Sequence, residues 1–106
     1  MSAPPSSPDG KTPDVVHNTA AQRFEIVFGR DLARADYRMD GKVMRLVHTE
    51  VPAAQEGKGI AGALVRAALA YAAAQDFKVA PMCSYVRSYM QRHPETQPLL
   101  APGSTL

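Results

Sequence analysis

The sequence predicts an α+β domain built on a mixed sheet, with elements in the order β-β-β-α-β-α. Three observations predict it. Three strand-like stretches follow one another, separated by turn signals at Gly29-Arg30-Asp31 and Asp40-Gly41. One apolar stripe of helical period runs from Ile60 to Ala72. A short apolar strand, Lys78–Pro81, follows that helix closely.

Arg23–Phe28 (RFEIVF) alternates, with Phe24, Ile26 and Phe28 on one face. Leu32–Met39 (LARADYRM) is a weaker second strand, because Ala and Asp are depleted in strands. Asp40-Gly41 is a hairpin signal, since glycine adopts positive φ without a steric penalty. Lys42–Val51 (KVMRLVHTEV) is the third strand and the richest in β-branched residues, and Pro52 ends it by removing a ladder donor. From Gly59 the pattern becomes helical: Ile60, Ala61, Leu64, Val65, Ala68, Leu69 and Ala72 form a core-facing stripe that ends near Gln75. A helix of that length is a normal crossover, so Lys78–Pro81 is expected to lie parallel to the third strand. A second helix is expected over Ser84–Arg92, with Ser84 as N-cap and Val86, Tyr89 and Met90 as its apolar side. His93-Pro94 stops it.

Composition bounds the rest. With 106 residues the chain is expected to hold one domain. Residues 1–22 begin with a Pro/Ser-rich stretch lacking apolar periodicity and are expected to be disordered. The domain is expected to occupy 23–94, and 95–106 to form an irregular tail on which Leu99 and Leu100 dock. A formal net charge of +2, spread along the chain, gives no reason to expect a nucleic-acid partner. The single cysteine, Cys83, excludes an internal disulfide framework and a Cys-rich zinc site, and no metal is expected. One thiol and no signal-like N-terminus suit a cytoplasmic protein that spans no membrane. A monomer or weak homodimer is expected.

The segment Gly57–Gly62 (GKGIAG) satisfies G-x-G-x-x-G. A dinucleotide site requires the glycines tight against a strand end and an acidic residue about 20 positions on. Here Pro52 to Glu56 intervene, and Val79–Cys83 carries no carboxylate. A nucleoside-triphosphate loop requires Lys followed by Ser or Thr, whereas Gly59 follows Lys58. What survives is generic: glycines before a helix let backbone N–H groups approach an anion such as a pyrophosphate. Equally, Gly57 and Gly59 simply turn the chain and Gly62 allows close packing.

The surrounding order adds to this. A strand ending in Val51-Pro52, a short loop, Gly57-Lys58-Gly59-Ile60-Ala61, an apolar helix and a short strand resemble the acetyl-CoA-binding core of the Gcn5-related N-acetyltransferase (GNAT) superfamily. The superfamily pattern Q/R-x-x-G-x-G/A falls on Glu56 to Ala61. Gly59 and Ala61 match. Glu56 stands where Gln or Arg is expected, and its carboxylate is expected to point away from a pyrophosphate. His48-Thr49-Glu50-Val51-Pro52, GKGIAGALVRAAL, Pro81-Met82-Cys83 and Arg92-His93-Pro94 together resemble the minimal-length, NATD1-like subfamily, over nearly everything from Arg23 to Pro94.

The resemblance implies a GNAT-like acyl-CoA N-acyltransferase fold in minimal form, acetyl-CoA as cosubstrate and transfer of its acetyl group to an unidentified amine. It implies that the third and fourth strands splay apart to admit the pantetheine arm. Thr49 and Val51 would then contact that arm, and Gly57, Lys58, Gly59, Ile60, Ala61 and Gly62 would hold the pyrophosphate. Arg87, with Arg92 and His93, would reach a phosphate, or would equally serve a solvated helix face.

His48 and Glu50 are the base candidates. Strict alternation puts both on one face with Met44 and Leu46. An imidazole accepts a proton near neutrality, yet His48 reads equally as a half-buried strand residue. Cys83 is a candidate nucleophile or acid for the leaving thiolate, and equally a small buried hydrophobe. Tyr85 and Tyr89 are candidate proton donors or core residues with a polar tip. The alternatives to an enzyme are a non-catalytic acyl-CoA-binding module and an interaction domain whose glycines are purely structural.

Overall fold

The computed structural model describes residues 14–106. The expected disorder of 1–13 lies outside the described residues. Five strands form one sheet in chain order: β1 (Val16–Asn18), β2 (Arg23–Phe28), β3 (Asp31–Asp40), β4 (Val43–Glu50) and β5 (Lys78–Pro81). The first four are antiparallel neighbours, and β5 runs parallel to β4. The crossover is helix α1 (Ile60–Ala74); α2 (Ser84–Arg92) follows β5. This is the mixed α+β sheet that the sequence predicts.

The hairpins follow from local chemistry. Gly29 and Gly41 each open a two-residue loop at φ +59, a conformation that costs an L-residue steric strain. Alternation then turns Phe24, Ile26, Ala33, Ala35, Tyr37, Met44, Leu46 and Val79 to one face, all buried. Both helices contribute to the core on this face, α1 through Leu64, Val65, Ala68 and Ala72, α2 through Val86, Tyr89 and Met90. Each fully buried Leu or Val contributes roughly 1.5–3 kcal/mol. The alanines that weaken β3 as a strand have a packing role: Ala33 and Ala35 are wholly buried in the sheet that α1 contacts. Packing here overrides propensity.

Strict alternation fails once. Tyr37 pairs with Leu46, but the next residue back, Asp36, pairs with His48. Val47 is the extra residue of a β-bulge. Because directly paired residues share a face, His48 and Glu50 follow Asp36 and Arg34 onto the face opposite Met44 and Leu46. Thr49 follows Ala35 to the helix-covered face. The expectation that His48 and Glu50 share a face with Met44 and Leu46 is therefore corrected; the bulge is invisible to a period-two reading. Ion pairs mark the open face: Arg34 Nε to Asp36 Oδ2 at 3.0 Å and Arg34 Nη2 to Glu50 Oε1 at 3.2 Å.

Both ends differ from expectation where they are described. Part of the segment expected to be disordered forms β1, anchored by His17. Its ring stacks on Phe24 at 4.1 Å, meets Tyr71 edge-on at 4.4 Å, and its Nε2 lies 2.6 Å from the Tyr37 hydroxyl. Three residues carry too little pattern to read, and the partners come from β2, β3 and α1. At the other end, Pro94–Leu99 is a 3-10 helix rather than an irregular run. Leu99 and Leu100 pack on the core, Leu100 bridges Val79 in parallel, and the Ala101 N–H donates to the Val79 carbonyl at 2.8 Å. Cys83, not Ser84, is the N-cap of α2.

Burial holds the His17 imidazole below its ordinary pKa of 6.5. The unfolded chain therefore takes up a proton first on acidification. The stabilisation from neutral His17 is complete above pH 6.5 and is lost as pH falls through the lower folded-state value. Protection of the β1 amides against hydrogen exchange, taken relative to the intrinsic rate at each pH, should fall between pH 7 and 5, and His17→Phe should abolish that fall.

Candidate active site

Strands β4 and β5 pair over four positions, from Val43–Lys78 to Leu46–Pro81, and then part. The Leu46 carbonyl accepts two N–H groups, from Met82 at 2.9 Å and Cys83 at 3.1 Å. The ladder contains no further pair. Beyond it β4 bulges at Val47 and β5 turns into α2. Thr49 Oγ1 and Cys83 Sγ, 3.6 Å apart, face each other across the opening.

After β4 the chain turns at Pro52, makes a 3-10 turn over Ala53–Gln55 and enters the glycine loop. Gly57 and Gly59 adopt φ +80 and +77, and Gly59 is the N-cap of α1. The helical ladder begins with the Ala63 N–H donating to Gly59 at 3.0 Å. The N–H groups of Ile60, Ala61 and Gly62 precede that bond and have no partner in their own helix. These residues line a cleft of about 260 Å³ with Gly57, Gly59, Val51, Gln55, Glu56 and Tyr85. A Cβ on Gly62 would lie 3.5 Å from the Tyr85 hydroxyl, an ordinary contact distance that places the two helix starts side by side at the cleft.

Cys83 is half-buried on the helix-covered side. Burial pushes its thiol pKa up, but the Val86 N–H, the Thr49 hydroxyl and the N–H groups of Tyr85 and Thr49 favour the thiolate and bring it below the ordinary value. His48 and Glu50 lie on the open face, 52% and 54% exposed, with His48 Nε2 3.2 Å from Glu50 Oε1. The hydrogen bond from His48, then the charge of Arg34, holds the Glu50 carboxyl below the usual carboxylate range. A carboxylate so stabilised is a poorer base, and it lies against the His48 ring.

The expected residues thus separate. Val51, Gly57, Gly59, Ile60, Ala61 and Gly62 line one cleft, with Tyr85 above it. Thr49 and Cys83 meet at the strand opening. His48 and Glu50 stand on the other side of the sheet. Lys58 is exposed outside the cleft lining, its Nζ 3.5 Å from Gln55 Oε1. Arg87 is also away from this cleft; its Nη1 donates to the Pro81 carbonyl at 3.2 Å and the Met82 carbonyl at 3.1 Å. Glu56, expected to point away, is part of the cleft lining, and Gln55 joins it without a sequence signal beyond its nearness to the glycines. Among the described residues no group of three or more His, Cys, Asp or Glu could hold a metal ion, and no helix is long and apolar enough to cross a membrane.

A strand pair that parts beside a glycine-capped helix is the geometry of an acyl-CoA N-acyltransferase core. The family profile described as GCN5-related N-acetyl-transferase matches residues 23–99, and the chain belongs to that family. Protein NATD1 of Mus musculus is 35% identical over 98 residues, covering 89% of this chain and 89% of its own length. Protein NATD1 of Homo sapiens is 35% identical over 86 residues, covering 78% and 76%. The solution structure of a GCN5-like presumed N-acetyltransferase from Staphylococcus aureus superposes with a TM-score of 0.64 at 19% identity, covering 83% of this chain and 87% of the other. That likeness shows the fold.

Gly59→Ala places a Cβ at φ +77 and should lower stability by ~1–2 kcal/mol, measured by urea unfolding. It should also weaken coenzyme A binding in calorimetry. Gly29→Ala, at φ +59 in the distant β2–β3 turn, should carry a similar backbone cost and leave binding unchanged.

Proposed function

We propose that the protein is an N-acetyltransferase that binds acetyl-CoA in the glycine cleft and transfers the acetyl group to an amine. The parting of β4 from β5 at Leu46, beside a cleft formed by the start of α1, is the observation that carries this reading. Backbone N–H groups of Gly57 to Gly62 hold the diphosphate, helped by the partial positive charge of the helix start. The pantetheine arm lies along the unpaired edge of β4, contacting Thr49 and Val51 as a peptide would add to a sheet edge. A backbone N–H at the end of β4 stabilises the developing oxyanion.

The amine arrives from the open face of the sheet. His48, held by Glu50, takes its proton. The nitrogen attacks the thioester carbon, the C–S bond breaks, and the departing thiolate takes up a proton from solvent. Thr49 and Cys83 flank the reacting group from the helix-covered side. The lowered pKa of Cys83 supports a second route, in which its thiolate takes the acetyl group first and passes it to the amine. Lys58 adds a mobile positive charge at the cleft rim. The reading includes a cytoplasmic setting, a monomer or weak homodimer, a folded domain over 23–94, and neither metal nor nucleic acid.

Calorimetry with coenzyme A tests the first step, and a titration to millimolar levels without heat would sink the assignment. Glu56→Gln should tighten binding several-fold, since it removes a negative charge from the lining. His48→Ala should lower kcat by roughly 10²–10⁴ with coenzyme A affinity unchanged. A binding module without activity would release no free coenzyme A with any amine. Radiolabelled acetyl-CoA should leave label on Cys83 only if the two-step route operates.

A further inference from the structure

Strand register lays out the open face of the sheet in rows. Directly paired residues share a face, and so do residues two apart on one strand. Arg38 pairs with Arg45, and Arg45 with Ala80, so these three form one row across β3, β4 and β5. Asp36 pairs with His48 in the next row, past the last pair of β4 with β5. Arg34 and Glu50 form the row after that. Two residues of β3 separate consecutive rows, a spacing of about 7 Å. The Arg38–Arg45 row thus adjoins the His48 row on one continuous surface.

The two neighbourhoods carry opposite charge. Around His48, Asp36 and Glu50 set two carboxylates against the single guanidinium of Arg34. One row away, Arg38 and Arg45 stand directly opposite each other, an arrangement that like-charge repulsion disfavours in a ladder. Other cations of this face are satisfied. Arg23 pairs with Glu25 at 2.7 Å, Arg34 pairs with Asp36 and Glu50, and Lys78 Nζ donates to the Pro98 carbonyl at 3.0 Å. Among the described residues, neither Arg38 nor Arg45 has an ion-pair partner, and Asp40, at the hairpin end of the same face, pairs with neither. Arg38 Nη1 donates one N–H to the Tyr37 carbonyl at 2.8 Å, which leaves four. Both arginines are exposed, and Ala80 beside them is short.

We infer that this face receives an extended acidic segment of a protein acceptor, in which a carboxylate two residues from the acetylated lysine binds Arg38 and Arg45 while the lysine amine meets His48. The inference rests on the proposed function for the role of His48 and deepens it by naming the acceptor class. In an extended chain, residues two apart point the same way at a spacing of about 7 Å, which is the spacing of the two rows. The cationic row complements the carboxylate, and the anionic surroundings of His48 complement the lysine ammonium before it loses its proton. Small molecules bind in concave sites. Exposed strands carrying His48, Arg38 and Arg45 suit an extended chain instead.

The test uses the full chain and three end-capped pentapeptides. They are Glu-Ala-Lys-Ala-Glu, its neutral counterpart Gln-Ala-Lys-Ala-Gln, and Ala-Glu-Lys-Glu-Ala, whose carboxylates point away from the lysine in an extended chain. Coenzyme A release should show kcat/KM about fivefold higher for the first than for the second, the scale of one good exposed ion pair, and high salt should shrink the difference. Equal values at low salt overturn the inference, and an equal gain for the third peptide overturns the two-residue spacing. Arg38→Gln/Arg45→Gln should cancel the preference with coenzyme A affinity unchanged; a preference that survives overturns the inference. That variant relieves a like-charge contact at two exposed positions, so it should melt no lower than the parent. Arg30→Gln/Arg66→Gln removes the same charge from exposed positions elsewhere and should keep the preference; loss there would trace the effect to net charge and overturn the site. Independently of turnover, the amide resonances of Arg38 and Arg45 should shift saturably with the Glu peptide and stay fixed with the Gln peptide. Those shifts in a chain that binds no coenzyme A would sink the proposed function alone; coenzyme A binding and turnover without acidic preference would sink this inference alone.

Discussion

The carbonyl oxygen of Leu46 decides where the sheet opens. A carbonyl has two lone pairs, and here Met82 and Cys83 both donate to it. With two successive donors converging on one acceptor, the parallel ladder cannot advance another step. The bulge at Val47 acts on the same spot from the β4 side, adding a residue and bending the strand away. Had the pairing continued, the backbone of β4 near Thr49 and Val51 would be occupied by β5 and closed to any ligand.

That opening organises two sides of the sheet differently. On the helix-covered side Thr49 and Cys83 meet at the strand opening, and Tyr85 lines the glycine cleft. The open side holds the Arg34, Asp36, His48 and Glu50 network. One Asp36 carboxylate oxygen is buried there without a hydrogen-bond partner among the described residues, so the network is polar but incompletely satisfied beside the bulge. A thioester approached from one side and an amine from the other is consistent with this division.

Much of the fold was legible because its signals are local. Glycines at the hairpin loops, alternation in Arg23–Phe28 and the apolar stripe of α1 each state one element, and β5 and α2 have the boundaries that the pattern predicts. What was illegible depends on partners distant in the chain. His17 holds β1 through rings on β2, β3 and α1. Leu100 finds Val79 only after the sheet exists. The glycine cleft could be anticipated from spacing and resemblance. The face of His48 could not, because a bulge leaves no mark in the alternation of Met44, Leu46, His48 and Glu50. Arg87 is a similar case: its charge suggested a phosphate, while its geometry ties it to the end of β5.

The pairing of Ala101 with Val79 has a consequence for self-association. A bare β5 would offer a parallel edge able to recruit a strand from another copy. The returning C-terminal segment occupies part of that edge, and the opposite border of the sheet is β1, only three residues long. The C-terminal segment thus blunts one border of the sheet as a template for stacking molecules strand upon strand, while on the other border β1 covers only Arg23–Glu25 of β2 among the described residues.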